Sequence, residues 1–125
     1  MHEDLYGTLR EPVLTNLQNG GDVLIDIDTQ GAATIRNSED PIVRQALADI
    51  FIMPPDVEEL RRRLMKRGTE TAQQIESRLG TAMREMELWR DYRYTIVSGS
   101  IEEDLERVRN IMSAETFLSR RLTPN

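Results

Sequence analysis

Three groups of residues in this 125-residue chain have the types and spacing that chemistry needs. The first is the pair Asp26 and Asp28, at the far end of the apolar run GDVLIDIDTQGA (Gly21 to Ala32). A buried strand has no structural use for two acids, because unpaired buried carboxylates are costly. Alternation along a strand puts both on one face. There they would accept hydrogen bonds from a base or ribose, or hold a Mg²⁺ ion through water. The plainer alternative is that Asp28 caps the following helix and Asp26 pairs with an arginine.

The second group is basic. In Arg61-Arg62-Arg63-Leu64-Met65-Lys66-Arg67-Gly68, Arg63 and Arg67 are four residues apart and share a helix face. Arg78 follows on the next helix. Planar guanidinium forks bind phosphate oxygens in pairs, and converging arginines neutralise charge on a transferring phosphoryl group. The alternative is a solvated face balanced by Glu58, Glu59 and Glu70. The third group is Leu5-Tyr6-Gly7-Thr8: two hydroxyls and a bare backbone before a helix N-terminus suit an anionic group. Otherwise Thr8 is an N-cap and Tyr6 packs at the surface.

The elements that must position these groups alternate between helix and short apolar run. Thr8 to Glu11 has capping-box spacing, Pro12 suits a first helical turn, and Gly20-Gly21 stops that helix. Val23 to Ile27 is expected as a buried strand, followed by a helix over about Gly31 to Arg36. A loop or one more helical turn spans Asn37 to Ala48. Ile50 to Met53 is a second strand, stopped by Pro54-Pro55. A helix opens at Asp56 and ends at Gly68. A long helix runs from about Thr71 to Trp89, with Ile75, Leu79, Ala82, Met83 and Met86 on its apolar stripe. Tyr94 to Val97 is a third strand. A last helix opens at Ser100, with Leu105, Val108, Ile111 and Met112 on one side. Alternation of this kind predicts an α/β fold with a thin parallel sheet, whose ligands bind beyond the carboxyl ends of the strands.

Composition narrows the function classes. The formal net charge of −6 argues against broad binding to nucleic acid or an anionic membrane. No cysteine is present, which excludes thiol chemistry, and the one histidine, His2, rules out a His-clustered metal site. No apolar run approaches the roughly 18 residues of a membrane span, and MHEDLYG lacks the pattern of a signal peptide. The expected location is the cytoplasm.

In order and spacing the three groups resemble guanylate kinase, over about Leu5 to Ala114. LYGT is similar to the end of that family's GMP-binding region, and VLIDIDTQGA to its acidic strand. IFIMPPDVEELRRRLMKRGTET is similar to the strand and lid that follow, and YTIV to its last core strand. The resemblance implies a parallel-sheet, P-loop NTPase-like nucleoside monophosphate kinase fold with a helical lid. It divides the chain into the end of the GMP-binding region (1–9), core (10–55), lid and following helix (56–90), and last core strand with C-terminal helix (91–125). It implies ATP-dependent phosphorylation of GMP to GDP, in purine nucleotide metabolism, with Mg²⁺ accompanying ATP. By position it assigns Tyr6, Gly7, Thr8, Asp26 and Asp28 to GMP, and Arg63, Arg67 and Arg78 to the lid arginines that close over the phosphates.

The chain departs from the family pattern in several places, among them the family's Ser, Arg and Glu contacts to GMP, which are missing, and a few extra residues between Arg36 and Ile50. The phosphate-cradling loop G-x-x-x-x-G-K-[ST] does not occur in these residues. Glu3-Asp4 stands where Gly-Asn is common, and Ser98-Gly99-Ser100 where Asn-Asp is common. The chain therefore reads as the C-terminal two thirds of such a kinase, its fold incomplete because the P-loop strand is missing and apolar sheet surface is left exposed. It is expected to continue a longer polypeptide or to associate with another chain, a second copy included, and to be inactive alone. The other reading is a catalytically dead guanylate-kinase-like scaffold module that binds a protein partner.

Overall fold

The computed structural model describes residues 12, 15, 17, 19–66, 68 and 70–118. They fall into two compact units, one reaching up to Asp49 and including residues 116–118, the other Ile50–Glu115.

In the first unit, Pro12, Thr15 and Leu17 are helical. The Asn19 and Gly20 amides donate to the Thr15 and Leu17 carbonyls, both at 3.1 Å. Gly20 then takes φ 81°, the left-handed stop that only glycine adopts cheaply. Helix α1 is Thr29–Arg36. Asp28 caps it, its Oδ1 accepting the Gly31 amide at 2.8 Å. A Cβ at Gly31 would lie 3.2 Å from that oxygen and 3.3 Å from Ile27 Cβ, so the tight cap accounts for the glycine. Ala32 and Ile35 turn inward, and Arg36 closes on Asp49 at 2.9 Å. The stretch after Asn37 forms a six-residue helix, α2, Pro41–Ala46, capped by Asp40 with proline in its first turn.

The second unit holds both strands. β1 (Ile50–Met53) and β2 (Tyr94–Val97) pair in parallel, with Ile50 opposite Tyr94 and Met53 opposite Val97. Ser98 continues the register by donating its amide to the Met53 carbonyl at 2.7 Å. After Pro54-Pro55, Asp56 accepts the Glu59 amide at 2.7 Å and starts α3, Val57–Lys66. Gly68, at φ 68°, follows it. A full capping box between Thr71 and Gln74 starts α4, Ala72–Met86, which packs on α3. The expected long helix tightens into a 3-10 turn over Glu87–Asp91. The last helix, α5, is Ile101–Glu115. Its buried end, Glu115, accepts from Arg93 Nε at 2.8 Å and from the Tyr94 hydroxyl at 2.6 Å, which ties α5 to the start of β2.

The expected strand Val23–Ile27 is corrected. Exposure alternates residue by residue from Val23 to Asp28, the period of two that a strand shows. No ladder forms there, because the described sheet consists of β1 and β2 alone. A strand is a pairing of backbones, and this segment has no neighbour of that kind among the described residues. The expected exposed apolar surface is found: Leu24 is 82% exposed, and Ile52 and Val97, on the two paired strands, are each 50% exposed. The buried apolar side chains described are only Ala32, Ile35, Val43, Leu79 and Ile96. Of the stripe expected on α4, Leu79 is buried while Met83 is exposed.

With so thin a core, single deletions weigh heavily. Leu79→Ala is expected to cost about 2–5 kcal/mol, the range for emptying a buried leucine site. Urea unfolding of the two chains checks this, and a loss under about 1 kcal/mol would show that Leu79 does not carry the packing of α4.

Candidate functional site

A cavity of about 510 Å³ opens where α3 faces the loop from β2 into α5. Arg62, Arg63 and Lys66 line it from the helix, and Ser98, Gly99, Ser100, Ile101 and Asp104 from the loop and the first turn of α5. Three cations face one acid, so the wall is basic although the chain as a whole is acidic.

Local geometry explains how each group is held. α3 is amphipathic and puts Arg62 and Arg63 one turn after Glu59, with Lys66 a turn further on. Glu59 takes Arg62 at 2.6 and 2.8 Å and Arg63 Nε at 3.0 Å. Across the cavity, the Ser100 hydroxyl accepts the Glu103 amide and Glu103 accepts the Ser100 amide, a second capping box. A Cβ at Gly99 would lie 2.7 Å from Glu103 Oε1, so a side chain there would displace the capping carboxylate. The Asp104 carboxylate takes the Ser98 hydroxyl at 2.6 Å and the Gly99 amide at 2.9 Å. Arg63 spans the cavity: NH1 donates to Ser98 Oγ at 2.9 Å and NH2 to the Gly99 carbonyl at 3.3 Å.

Several N–H groups at this helix start are thus already engaged, and its first turn carries Glu102, Glu103 and Asp104. The pull on an anion comes from the α3 cations rather than from the helix end. A guanidinium has five N–H donors. Arg63 uses three, one on each nitrogen, and because Ser98 Oγ and the Gly99 carbonyl lie 3.5 Å apart, the two facing N–H groups of its terminal nitrogens are the ones the loop engages.

The residues singled out in the sequence are placed as follows. Arg63 stands in this cavity. Arg78 lies on α4, does not line the cavity, and pairs with Glu70 at 2.9 Å. Asp26 is exposed, and Asp28, the cap of α1, is exposed as well. Tyr6, Gly7, Thr8 and Arg67 lie outside the described residues. The charge balance weighed for the basic run is partly seen, since Glu59 and Glu70 hold Arg62, Arg63 and Arg78, and Glu76 holds Arg61. Ser98 was visible in the sequence only as a departure from the family pattern. Lys66 and Asp104 were not singled out. The signal for Asp104 was an acid six residues after Ser98, in a first helical turn. Among the described residues no group of three or more histidines or acids is placed to hold a metal ion, and no helix is long and apolar enough to cross a membrane.

The carboxylates here are held in their charged form. Hydrogen bonds from Arg62 first, then Arg63, lower the Glu59 carboxyl from 4.5 to about 2. Asp104 is lowered chiefly by the Ser98 hydroxyl and the Gly99 amide, and Glu103 chiefly by the Ser100 amide. A depressed carboxyl stabilises the folded chain above its unfolded value and stops doing so as pH falls through its folded value. For Glu59 that window runs from 4.5 down to about 2. The effect is modest and salt-sensitive, because the pair is solvent-exposed. Urea midpoints measured from pH 5.5 to 2.5 are expected to fall less steeply in Glu59→Gln than in the unaltered chain. Parallel curves would contradict the pairing.

Comparisons with known proteins give the family of the chain. The family model for guanylate kinase matches residues 1–115. The chain is 41% identical to the guanylate kinase of Chelativorans sp. (strain BNC1) over 115 residues, covering 92% of this chain and 51% of that protein. It is 37% identical to the guanylate kinase of Caldanaerobacter subterraneus subsp. tengcongensis over 115 residues, covering 92% and 53%. The crystal structure of guanylate kinase from Anaplasma phagocytophilum superposes with a TM-score of 0.72 at 35% identity, covering 90% of this chain and 50% of that one. The chain spans about half the length of the curated relatives it matches. Its helices and small parallel sheet fit an incomplete fold of that P-loop NTPase-like class. On this evidence the chain belongs to the guanylate kinase family.

Proposed function

We propose that this chain forms the lid, the acceptor side and part of the donor side of an enzyme that transfers a phosphoryl group from ATP to GMP, giving GDP and ADP, in cytoplasmic purine nucleotide metabolism. The observation that carries the reading is the basic cavity of Arg62, Arg63 and Lys66 against the Ser98–Ile101 loop, in a chain whose relatives are named guanylate kinases. In this reading Arg63 meets the phosphates of ATP at the cavity wall, and Arg67 and Arg78 join it when substrate is present. Asp26 and Asp28 face the guanine nucleotide, and Tyr6, Gly7 and Thr8 hold its phosphate and base region.

The chemistry needs little beyond this. Phosphoryl transfer depends on alignment and on neutralising charge that spreads over the transferred group. Arginines supply that without acid–base residues. Magnesium enters as the counter-ion of ATP, and the described residues do not form a site for it on their own. The 125 residues contain no G-x-x-x-x-G-K-[ST] loop, so the β-phosphate cradle has to come from elsewhere.

A chimera tests the proposal. The chain alone is expected to make no GDP from ATP and GMP. Joined to the remaining half of the Chelativorans protein, it is expected to turn over, and Arg67→Ala in the chimera is expected to lower kcat by on the order of 10²-fold. A folded chimera without turnover would remove the kinase reading. Unchanged kcat in the variant would remove Arg67 from the mechanism.

A further inference from the structure

The cavity contains one acid, and its role does not follow from phosphate binding, since a carboxylate repels phosphate. Both Asp104 oxygens are committed to the loop: Oδ2 to the Ser98 hydroxyl at 2.6 Å and Oδ1 to the Gly99 amide at 2.9 Å. The same two residues receive the terminal nitrogens of Arg63. We propose that Asp104 is the positioning residue for Arg63: by fixing the Ser98 hydroxyl and the Gly99 backbone, it sets which guanidinium N–H groups remain available at the cavity. The proposal deepens the kinase reading and rests on it for the identity of the ligand.

The physical case is one of hydrogen-bond polarity. A serine hydroxyl has one hydrogen and two lone pairs. With the hydrogen given to a carboxylate, Ser98 can only accept, and it accepts Arg63 NH1. Without the carboxylate, that hydrogen is free to turn toward the Gly99 carbonyl, 3.5 Å away, or toward Arg63, where two donors would meet. Gly99 would lose its amide partner as well, and its carbonyl is the seat of Arg63 NH2. Ser98 is 6% exposed, so water does not readily replace these bonds. The groups facing the carboxylate keep it charged: besides the Ser98 and Gly99 donors, Arg107 NH1 lies 3.6 Å from Oδ1, and Arg63 approaches through Ser98. Glu59 fixes the third edge of the arginine at 3.0 Å. The favourable effect of Asp104 on an anion therefore passes through Arg63, against the direct repulsion of its own charge.

The test uses the full 125-residue chain with ¹⁵N-labelled arginine. A guanidinium held on both terminal nitrogens rotates slowly and gives separate NH1 and NH2 signals. Separate signals for Arg63 are expected in the unaltered chain. They are expected to merge in Asp104→Asn, whose amide offers a donor where Ser98 or Gly99 also donates. Binding of inorganic triphosphate, measured by calorimetry, is expected to weaken about tenfold in the same variant, the scale of one charge-assisted hydrogen bond. Ser98→Ala keeps the carboxylate and breaks the relay at its middle, so it gives the same two readouts if Asp104→Asn does not fold. Separate Arg63 signals in a folded variant, or triphosphate binding equal to that of the unaltered chain, would overturn the proposal. If the unaltered chain binds no triphosphate, the kinase reading of the cavity fails, and the guanidinium signals still decide for or against Asp104.

Discussion

The guanidinium of Arg63 is the tie on which the second unit depends. It joins α3 to the loop that leaves β2, with Glu59 behind it and Ser98 and Gly99 in front. It is the contact by which the basic face of α3 reaches the loop at the carboxyl end of the sheet. That end is where parallel sheets place their ligands. The tie is polar because the apolar means are small. The two strands are four residues each, and no large side chain described is fully buried. Charged staples do part of what a core does in larger domains: Glu115 on Arg93 and Tyr94, and Arg36 on Asp49. Such bonds are directional, so they fix geometry more firmly than they add stability.

The same economy shapes the cavity. A wall of three cations would push itself apart and attract any anion without selection. Glu59 and Asp104 prevent that by engaging Arg62 and Arg63 in set directions, directly or through Ser98. What remains available is a small number of donors in fixed places. That is the arrangement by which an enzyme stabilises charge that develops late in a reaction.

Much of this architecture was legible in the residues, for reasons that can be named. Ile50–Met53 and Tyr94–Val97 are short β-branched or aromatic runs with firm stops, and both strands match their expected bounds. The long helix expected from about Thr71 is α4, and the structure shows why it starts there: Thr71 and Gln74 close a capping box within one turn. Val23–Ile27 shows the limit of such reading. Its nearly continuous apolar run reads as a buried strand, whereas exposure alternates along it and Leu24 is 82% exposed, because a pattern does not name a pairing partner. Asp28 was legible in both of its meanings, cap and ligand-facing acid, and the structure shows the cap. Arg63 was singled out in the sequence, and the structure places it in the basic cavity. Its partners were not legible, since Ser98 lies 35 residues away and Asp104 resembles any acid that complements a helix N-terminus.

The most direct measurement of the central claim is where ATP and GMP each perturb the backbone amide spectrum of this chain. Mg–ATP is expected to shift the amides of Arg62 to Lys66 and Ser98 to Ile101, added salt to weaken the shifts, and GMP to leave those amides in place. Shifts at those residues from GMP in place of ATP, or no shift there from ATP at millimolar concentration, would contradict the reading of the cavity as the phosphoryl-donor side.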